Sequence, residues 1–246
     1  MILRQFLHTD PVAASYLFGC GGQAMGAVVD PVGDPAPYLS AAEQTGLPIR
    51  YVIETHLHAD HLSPGRALAA AAGAEYVLFH KADANFPFKG VREGDLLELG
   101  NVTIKVMHTP GHTPEHISLI VTDRTRSQDP WFVLTGHTLM VGDLGRTELA
   151  TSAEEGARAL FQSVQRLKAL PDHLEVLPGA FSGSVCGRSL SGKPASTIGF
   201  EKRNNRAFRI ENEDEFVRTM TADIPPPPPN SAETRAINSG KTAAAA

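Results

Sequence analysis

Four ionisable side chains fall within six positions in the stretch Thr55-His56-Leu57-His58-Ala59-Asp60-His61, directly after the apolar run Tyr51-Val52-Ile53. An extended strand end places residues i, i+2 and i+4 on one face, so His56, His58 and Asp60 can point into one cavity. A turn just past Asp60 swings His61 toward the same point. Imidazoles and a carboxylate converging in this way are costly to bury without a metal ion or a dense hydrogen-bond network. Ten His in 246 residues can also cluster by chance on a solvated loop. Further His signals downstream at strand ends, at His112 and His137, weigh against chance and for a metal site.

Composition narrows what surrounds such a site. At 42% hydrophobic and 20% charged, the chain is long enough for one sizeable globular domain. A net charge of −5 without any Lys/Arg-rich run argues against nucleic acid as a partner. No apolar stretch approaches the roughly 20 residues that span a bilayer, so no membrane partner is expected. The opening residues Met1 to Asp10 lack the basic region and continuous apolar core of a signal peptide. Two cysteines, Cys20 and Cys186, make no disulfide framework. The expected compartment is the cytoplasm.

Along the chain, Ser15–Phe18 and Ala27–Asp30 read as a hairpin around a Gly-rich turn. Ala36 to Gly46 reads as a short helix, and Arg50 to Glu54 as the strand that delivers the His cluster. Ser63 and Pro64 are placed as N-cap and first helical residue of an alanine-rich helix, Arg66 to Ala72. Strands are predicted at Glu75–Phe79, Leu96–Leu99, Val102–His108, Ile117–Thr122, Trp131–Leu134 and Glu175–Leu177. A helical period runs from Ser152 to Leu170 through Ala157, Leu160, Phe161, Val164 and Leu167. This mixture predicts an α/β chain of two mixed sheets packed face to face with helices outside. Residues 1–224 would form that domain. Residues 225–246, Pro-rich and then Ala-rich, would form a peripheral tail beginning with a polyproline II segment at Pro225–Pro229.

The spacing His-x-His-x-Asp-His resembles the signature of the metallo-β-lactamase superfamily. Thr109-Pro110-Gly111-His112-Thr113-Pro114 resembles that family's second metal motif. Leu134-Thr135-Gly136-His137-Thr138-Leu139 falls where the family usually reads Thr-Gly-Asp-Thr-Leu, and Pro178-Gly179-Ala180 where it usually reads Pro-Gly-His. The resemblance implies an αββα sandwich. In two-zinc members it implies one metal at His56, His58 and His112, and a second at Asp60, His61, a bridging carboxylate and a late His. Here His137 occupies the bridging position and Ala180 the late one, so a full dinuclear site is not expected.

The persulfide dioxygenase branch is similar in more detail. It implies one non-haem iron on a two-His-one-carboxylate face, whose matching positions are His56, His112 and His137. The carboxylate has become a third imidazole. Gly142-Asp143-Leu144-Gly145-Arg146-Thr147-Glu148 resembles the branch's Gly-x-Gly-Arg-Thr stretch, with Arg146 as a carboxylate clamp, although a surface pair with Glu148 is the plainer reading. The stretch from Gly183 through Glu201 resembles the C-terminal region of the bacterial enzymes. Its donors Ser184, Arg188, Ser189, Lys193, Ser196 and Thr197 either grip a glutathione-sized ligand or form a solvated cap.

Cys186 is a weak nucleophile candidate, and Cys20 reads as a buried small hydrophobe. His8, His80, His108, His116 and His173 receive no role, with His108 placed nearest the pocket. The expected function is a mononuclear iron dioxygenase, one Fe2+ per chain, that oxidises a thiol persulfide such as glutathione persulfide with O2 to sulfite. His58, Asp60 and His61 would orient ligands and relay protons. One alternative is a zinc hydrolase of glyoxalase II or lactonase type, with Zn2+ at His56, His58 and His112 and Asp60 as base. Another is a degenerate member that binds without catalysis. A homodimer is left open.

Overall fold

The computed structural model describes residues 1–224 and 226–242. The first half of the chain forms β1 (Ile2–Thr9), β2 (Val12–Cys20), β3 (Met25–Val29), α1 (Ala36–Thr45), β4 (Ile49–Ile53), α2 (Gly65–Ala72), β5 (Glu75–Phe79) and β6 (Lys89–Val91). The second forms β7 (Leu96–Leu99), β8 (Val102–His108), β9 (Ile117–Asp123), β10 (Phe132–Gly136), β11 (Leu139–Met140), β12 (Asp143–Leu144), α3 (Ala153–Lys168), β13 (Glu175–Pro178), β14 (Ser196–Thr197), α4 (Ile198–Asn204), α5 (Glu213–Thr221) and α6 (Ser231–Asn238). Strands β1 to β6 make one six-stranded sheet in sequence order, and β14-β13-β10-β9-β8-β7 make the other. Both are mixed, with β3, β4, β5 and β6 parallel, β10 parallel to β13, and the remaining pairs antiparallel.

Alternation along the strands builds the layers. Tyr16 and Phe18 of β2 face Leu119, Val121 and Phe132 of the other sheet, and Phe18 meets Phe132 edge-on at 5.6 Å. Leu17, between them, turns outward to Tyr38, Val52 and Leu68 under α1 and α2. On the opposite side α3 lays Ala157, Leu160, Val164 and Leu167 onto Val133 and Val176, with α5 adding Phe216 and Met220. Ser152 caps α3 by accepting the Glu155 N–H. The expected αββα sandwich is the observed one.

Several elements depart from the sequence reading. The edge strand β1 was not foreseen, because its exposed face gives no clear apolar alternation. Helix α2 starts one residue earlier than predicted, with Pro64 at the N-cap position and Ser63 Oγ accepting the Gly65 N–H. The tail departs furthest. Pro225 and Ala243–Ala246 lie outside the described residues, but α6 is not peripheral. Asn238 Nδ2 donates to the carbonyls of His58 and His61 at 2.9 and 2.8 Å, and its Oδ1 accepts the Ser63 N–H at 3.0 Å. Arg235, one turn earlier on the same face, donates to the Leu57 carbonyl and to both Glu115 carboxylate oxygens. The helix therefore straps the His-rich loop. Among the described residues, no helix is long and apolar enough to cross a membrane.

The sandwich is stitched together where the predicted motifs end. Tyr16 Oη donates to the Pro178 carbonyl at 2.6 Å, Ala14 N to the Gly179 carbonyl at 2.7 Å, and Ile117 N to the Thr55 carbonyl at 2.8 Å. The loops after β3, β4, β8, β10 and β13 thus meet at one end of the molecule.

Candidate metal centre

The side chains at that end are oriented from behind. Asp30, just past β3 in a left-handed conformation (φ 47°), accepts Thr55 N–H at 2.7 Å and the Thr55 hydroxyl at 2.8 Å. With its proton committed to Asp30, Thr55 Oγ1 acts as acceptor for His56 Nδ1–H at 2.9 Å. His56 Nε2 keeps its lone pair, buried and without a hydrogen-bond partner. His112 follows the same logic, since its Nδ1–H donates to the Arg146 carbonyl at 2.7 Å and leaves Nε2 as the acceptor, which meets His137 Nδ1 at 3.3 Å.

His137 is placed by Gly136, whose φ is 48°. A Cβ there would lie 2.5 Å from His116 Nε2 and 2.6 Å from Thr55 Oγ1, so only glycine allows the chain to turn at this point. His137 N–H donates to His116 Nε2 at 3.1 Å. His116 Nδ1 then carries the proton and meets Thr109 Oγ1 at 3.1 Å and Thr138 Oγ1 at 3.0 Å. His116 is fully buried and was assigned no role from the sequence. Its signal was present: it lies four residues beyond His112 and immediately precedes β9. His108, expected nearest the pocket, instead stacks on Phe79 at 4.1 Å and is turned to the Pro114 carbonyl.

One nitrogen from each of His56, His112 and His137 lies within 4.8 Å of the others. Burial, reinforced by the neighbouring imidazoles, lowers the His112 pKa to about 3. Burial likewise lowers His137 to about 4 and His56 well below its usual value. All three rings are therefore neutral and able to donate a lone pair at physiological pH. The buried Nε2 atoms of His56 and His137 have no hydrogen-bond partner, a costly arrangement that a cation would relieve. The donor set fits a divalent metal on three imidazoles, whether iron or zinc.

His58, a ligand in the expected zinc arrangement, has different partners. Although one of its nitrogens falls within 4.8 Å of donor atoms on His56 and Asp60, its ring is enclosed by acids. Nε2 lies 3.3 Å from Asp30 Oδ1 and 3.2 Å from Glu54 Oε2, and Nδ1 lies 3.4 Å from Asp60 Oδ1. Burial alone would depress its pKa, but these carboxylates hold it well above the usual value. A protonated imidazole has no lone pair to give a metal. Asp30 and Glu54 were both missed by the sequence reading; each is a lone acid at the end of a strand.

Asp60 and His61 complete the wall. His61 Nδ1 lies 3.2 Å from Asp60 Oδ2, yet the geometry makes no aligned hydrogen bond to either Asp60 oxygen. His61 charge and the His58 contact outweigh burial and hold the Asp60 carboxyl well below its usual range. The Cys186 thiol is also here, within 4.8 Å of donor atoms on Asp60 and His137. Burial and the Asp60 charge push its pKa well up. Ala180 is fully buried and brings no ligand.

The predicted substrate residues separate into two groups. Arg146 and Arg188 line a small cleft together with Leu144, Val185, Cys186 and Met220. Arg146 pairs with Glu148 and donates to the carbonyls of Val185 and Pro226, while Arg188 donates to the carbonyls of Thr219 and Ala222. Ser184 Oγ accepts the Cys186 N–H, Ser196 Oγ is buried on Glu201, and Thr197 Oγ1 caps α4. Those three hydroxyls support the frame of the loop. Lys193 is exposed.

The family model for the metallo-beta-lactamase superfamily matches residues 9–179. The persulfide dioxygenase ETHE1 of Homo sapiens is 25% identical over 92% of this chain and 84% of its own length. A hydroxyacylglutathione hydrolase of Polaromonas is 31% identical over 67% of this chain and 60% of its own. A solved metallo-beta-lactamase structure from Staphylococcus aureus superposes with a TM-score of 0.92 at 37% identity, covering 97% of this chain and 72% of that one. With four motifs meeting at one end of an αββα sandwich, the chain belongs to the metallo-β-lactamase superfamily.

Proposed function

We propose that the protein is a mononuclear iron dioxygenase that takes a small thiol persulfide, O2 and water to thiol and sulfite. The observation that carries this reading is the trio His56, His112 and His137: three neutral, oriented imidazoles with no bridging carboxylate and no late His to hold a second ion. The likeness to persulfide dioxygenases over nine-tenths of the chain supports it. Ferrous iron, when bound, supplies electron exchange with dioxygen that side chains cannot provide. A face of three neutral ligands leaves the ion more positive than a carboxylate-containing face would, which suits an anionic sulfur substrate.

The remaining residues position and exclude. The Thr55 hydroxyl and Arg146 carbonyl lock two imidazoles in the ligating tautomer. Asp60, held ionised beside His58 and His61, sets a negative charge on the wall of the pocket. Arg188 puts positive charge on the cleft beside Cys186, where a carboxylate of a glutathione-sized thiol would dock, while the Arg146 charge is met by Glu148 in the same cleft.

The hydroxyacylglutathione hydrolase likeness supports a rival zinc hydrolase. Oxygen uptake by iron-loaded protein with glutathione persulfide, set against hydrolysis of S-lactoylglutathione, separates the two. Oxygen consumption matched by sulfite, without comparable thioester cleavage, is the expected result. Thioester turnover without oxygen uptake would overturn the dioxygenase reading, and neither reaction would leave a binding protein.

A further inference from the structure

The metal centre is closed in. Its three imidazoles are buried, and so is the Cys186 thiol, which lies within 4.8 Å of donor atoms on Asp60 and His137. Cys186 also lines the small cleft, which has room for about 10 Å3, roughly one water molecule. A thiol of glutathione size cannot pass through such a space, so part of its wall has to move.

Most of that wall is fixed. Leu144 and Met220 belong to the core that packs on α3, and the Cys186 loop is pinned to Asp143 by the N–H groups of Arg188 and Ser189 at 2.8 and 3.0 Å. Ile224 is different, because it lies in the connection between α5 and α6. That connection turns at Asp223 and Asn230, both left-handed, with φ of 50° and 58°. On its near side α5 buries Phe216, Val217 and Met220, and Arg188 Nη1 holds the carbonyls of Thr219 and Ala222 at 3.3 and 2.9 Å. On its far side α6 is bonded to the His-rich loop through Arg235 and Asn238. The connection itself is tied down by Arg146, whose Nη1 and Nη2 both donate to the Pro226 carbonyl, at 3.3 and 3.2 Å.

We propose that the connection between α5 and α6 is a lid over the metal centre, hinged at Asp223 and Asn230 and latched by Arg146 on the Pro226 carbonyl. With both helices anchored, only the stretch between the two left-handed turns has to swing for Ile224 to clear the cleft. The latch sits where a carboxylate competes for it. Two guanidiniums, Arg146 and Arg188, against the single carboxylate of Glu148 leave the cleft with one net positive charge. A carboxylate is a stronger acceptor for a guanidinium fork than a neutral carbonyl is. A ligand that carries one therefore displaces Pro226 and opens the way to Cys186 and the three imidazoles. The same Arg146 orients His112 through its own carbonyl, so lid and centre share a residue. The inference rests on the proposed function only in taking the ligand to carry a carboxylate. The lid itself rests on the closed cleft.

Alkylation of Cys186 reads the lid, in iron-loaded protein without oxygen and in a Cys20→Ser background that leaves one thiol. Proline holds φ near −65° and cannot make the Asp223 turn, so Asp223→Pro unseats the lid, whereas glycine makes the turn freely. Iodoacetamide should react with Cys186 at least ~10-fold faster in Asp223→Pro than in its parent, and at about the parental rate in Asp223→Gly. Iodoacetate, the matching reagent with a carboxylate, should outpace iodoacetamide in the parent once each rate is divided by its rate with free cysteine. That preference should shrink in Asp223→Pro, where the lid is already off. Equal iodoacetamide rates in folded Asp223→Pro and its parent would overturn the proposal. So would an iodoacetate preference that is absent from the parent or undiminished in the proline variant. The reagent comparison in the parent needs no substitution at Asp223 and decides alone if the proline variant does not fold. None of these measurements requires turnover, so a protein that consumes no oxygen can still have the lid, and one without the lid can still be a dioxygenase.

Discussion

His56 and His58 lie two residues apart on one loop and are almost equally buried, yet their electrostatics are opposite. His56 stands among imidazoles, with Thr55 behind it, and burial keeps it neutral with a free lone pair. His58 stands among Asp30, Glu54 and Asp60, which hold a proton on it. What each ring's second nitrogen meets decides whether the residue can be a ligand. His56 is built to take a cation, whereas His58 already is one.

The largest effect should come from breaking the neutral side. His112→Ala deletes one of three donors and should abolish iron binding, read as iron per chain after reconstitution. His61→Ala, outside the trio, should keep most of the iron and lose about 10–100-fold in affinity or activity. Equal iron loss in both variants would mean that His61 ligates and that the three-His face is misassigned.

Breaking the charged side should cost stability before it costs metal. His58→Gln leaves three buried carboxylates without their cation, a loss on the order of 3–5 kcal/mol by analogy with disrupted buried ion pairs. Iron per folded chain should stay near the wild-type level. Adding Glu54→Gln removes one of the orphaned acids and should recover part of the melting temperature. If His58→Gln stays stable but loses iron, His58 is a ligand and the contrast with His56 collapses.

The sequence was informative where chemistry is local. His56, His112 and His137 were named from motif order, and the two sheets followed from runs of apolar residues that the core confirms. Asp30 and His116 were not named, because each acts through a neighbour brought in by the fold: Asp30 lies 25 residues from Thr55, and His116 lies 21 from His137, whereas Glu54, four residues before His58, was read only as the end of a strand. The role of α6 was invisible for the same reason. Its Arg235 and Asn238 look like any polar residues of a surface helix until the loop they bind is in view.

The two sides should also respond in opposite senses to pH. His56, His112, His116 and His137 have folded pKa values below 6.5, so the unfolded chain gains protons that the folded chain refuses. Their effect is absent above about pH 7 and destabilises progressively as pH falls from about 6.5 toward 4. The depressed Asp30 and Asp60 carboxyls act in the same direction, contributing stability that is lost as pH falls through their folded values. His58, raised, contributes stability that is complete below about 6.5 and lost as pH rises through its folded value, and raised Glu54 also favours the acid side. The neutral rings outnumber the raised groups, so metal-free protein should lose on the order of a few kcal/mol between pH 6.5 and 4, and the depressed acids add their loss only below about pH 4. His58→Gln should lower stability throughout that window and leave the slope of the fall nearly unchanged, because the His58 contribution is already complete below about 6.5. A melting temperature that is flat or rising toward pH 4 would contradict the neutral assignment of the trio.

The smallest effect expected concerns what holds both rings in place. Asn238 contributes an amide that satisfies the carbonyls of His58 and His61 and the N–H of Ser63, all near 2.9 Å. Asn238→Ala leaves those loop groups without a partner, a loss of about 1–3 kcal/mol if water does not replace the amide. Asn238→Asp keeps an acceptor for Ser63 but sets a carboxylate against two carbonyl oxygens, so it should rescue nothing. The loop carries His56 as well as His58, so iron affinity should fall along with the melting temperature. Arg235→Ala, which frees the Leu57 carbonyl on that loop and Glu115 on the loop that carries His112, should act in the same direction. Wild-type iron affinity and stability in both variants would show that α6 only rests on the loop, and that the sandwich alone sets the difference between the two histidines.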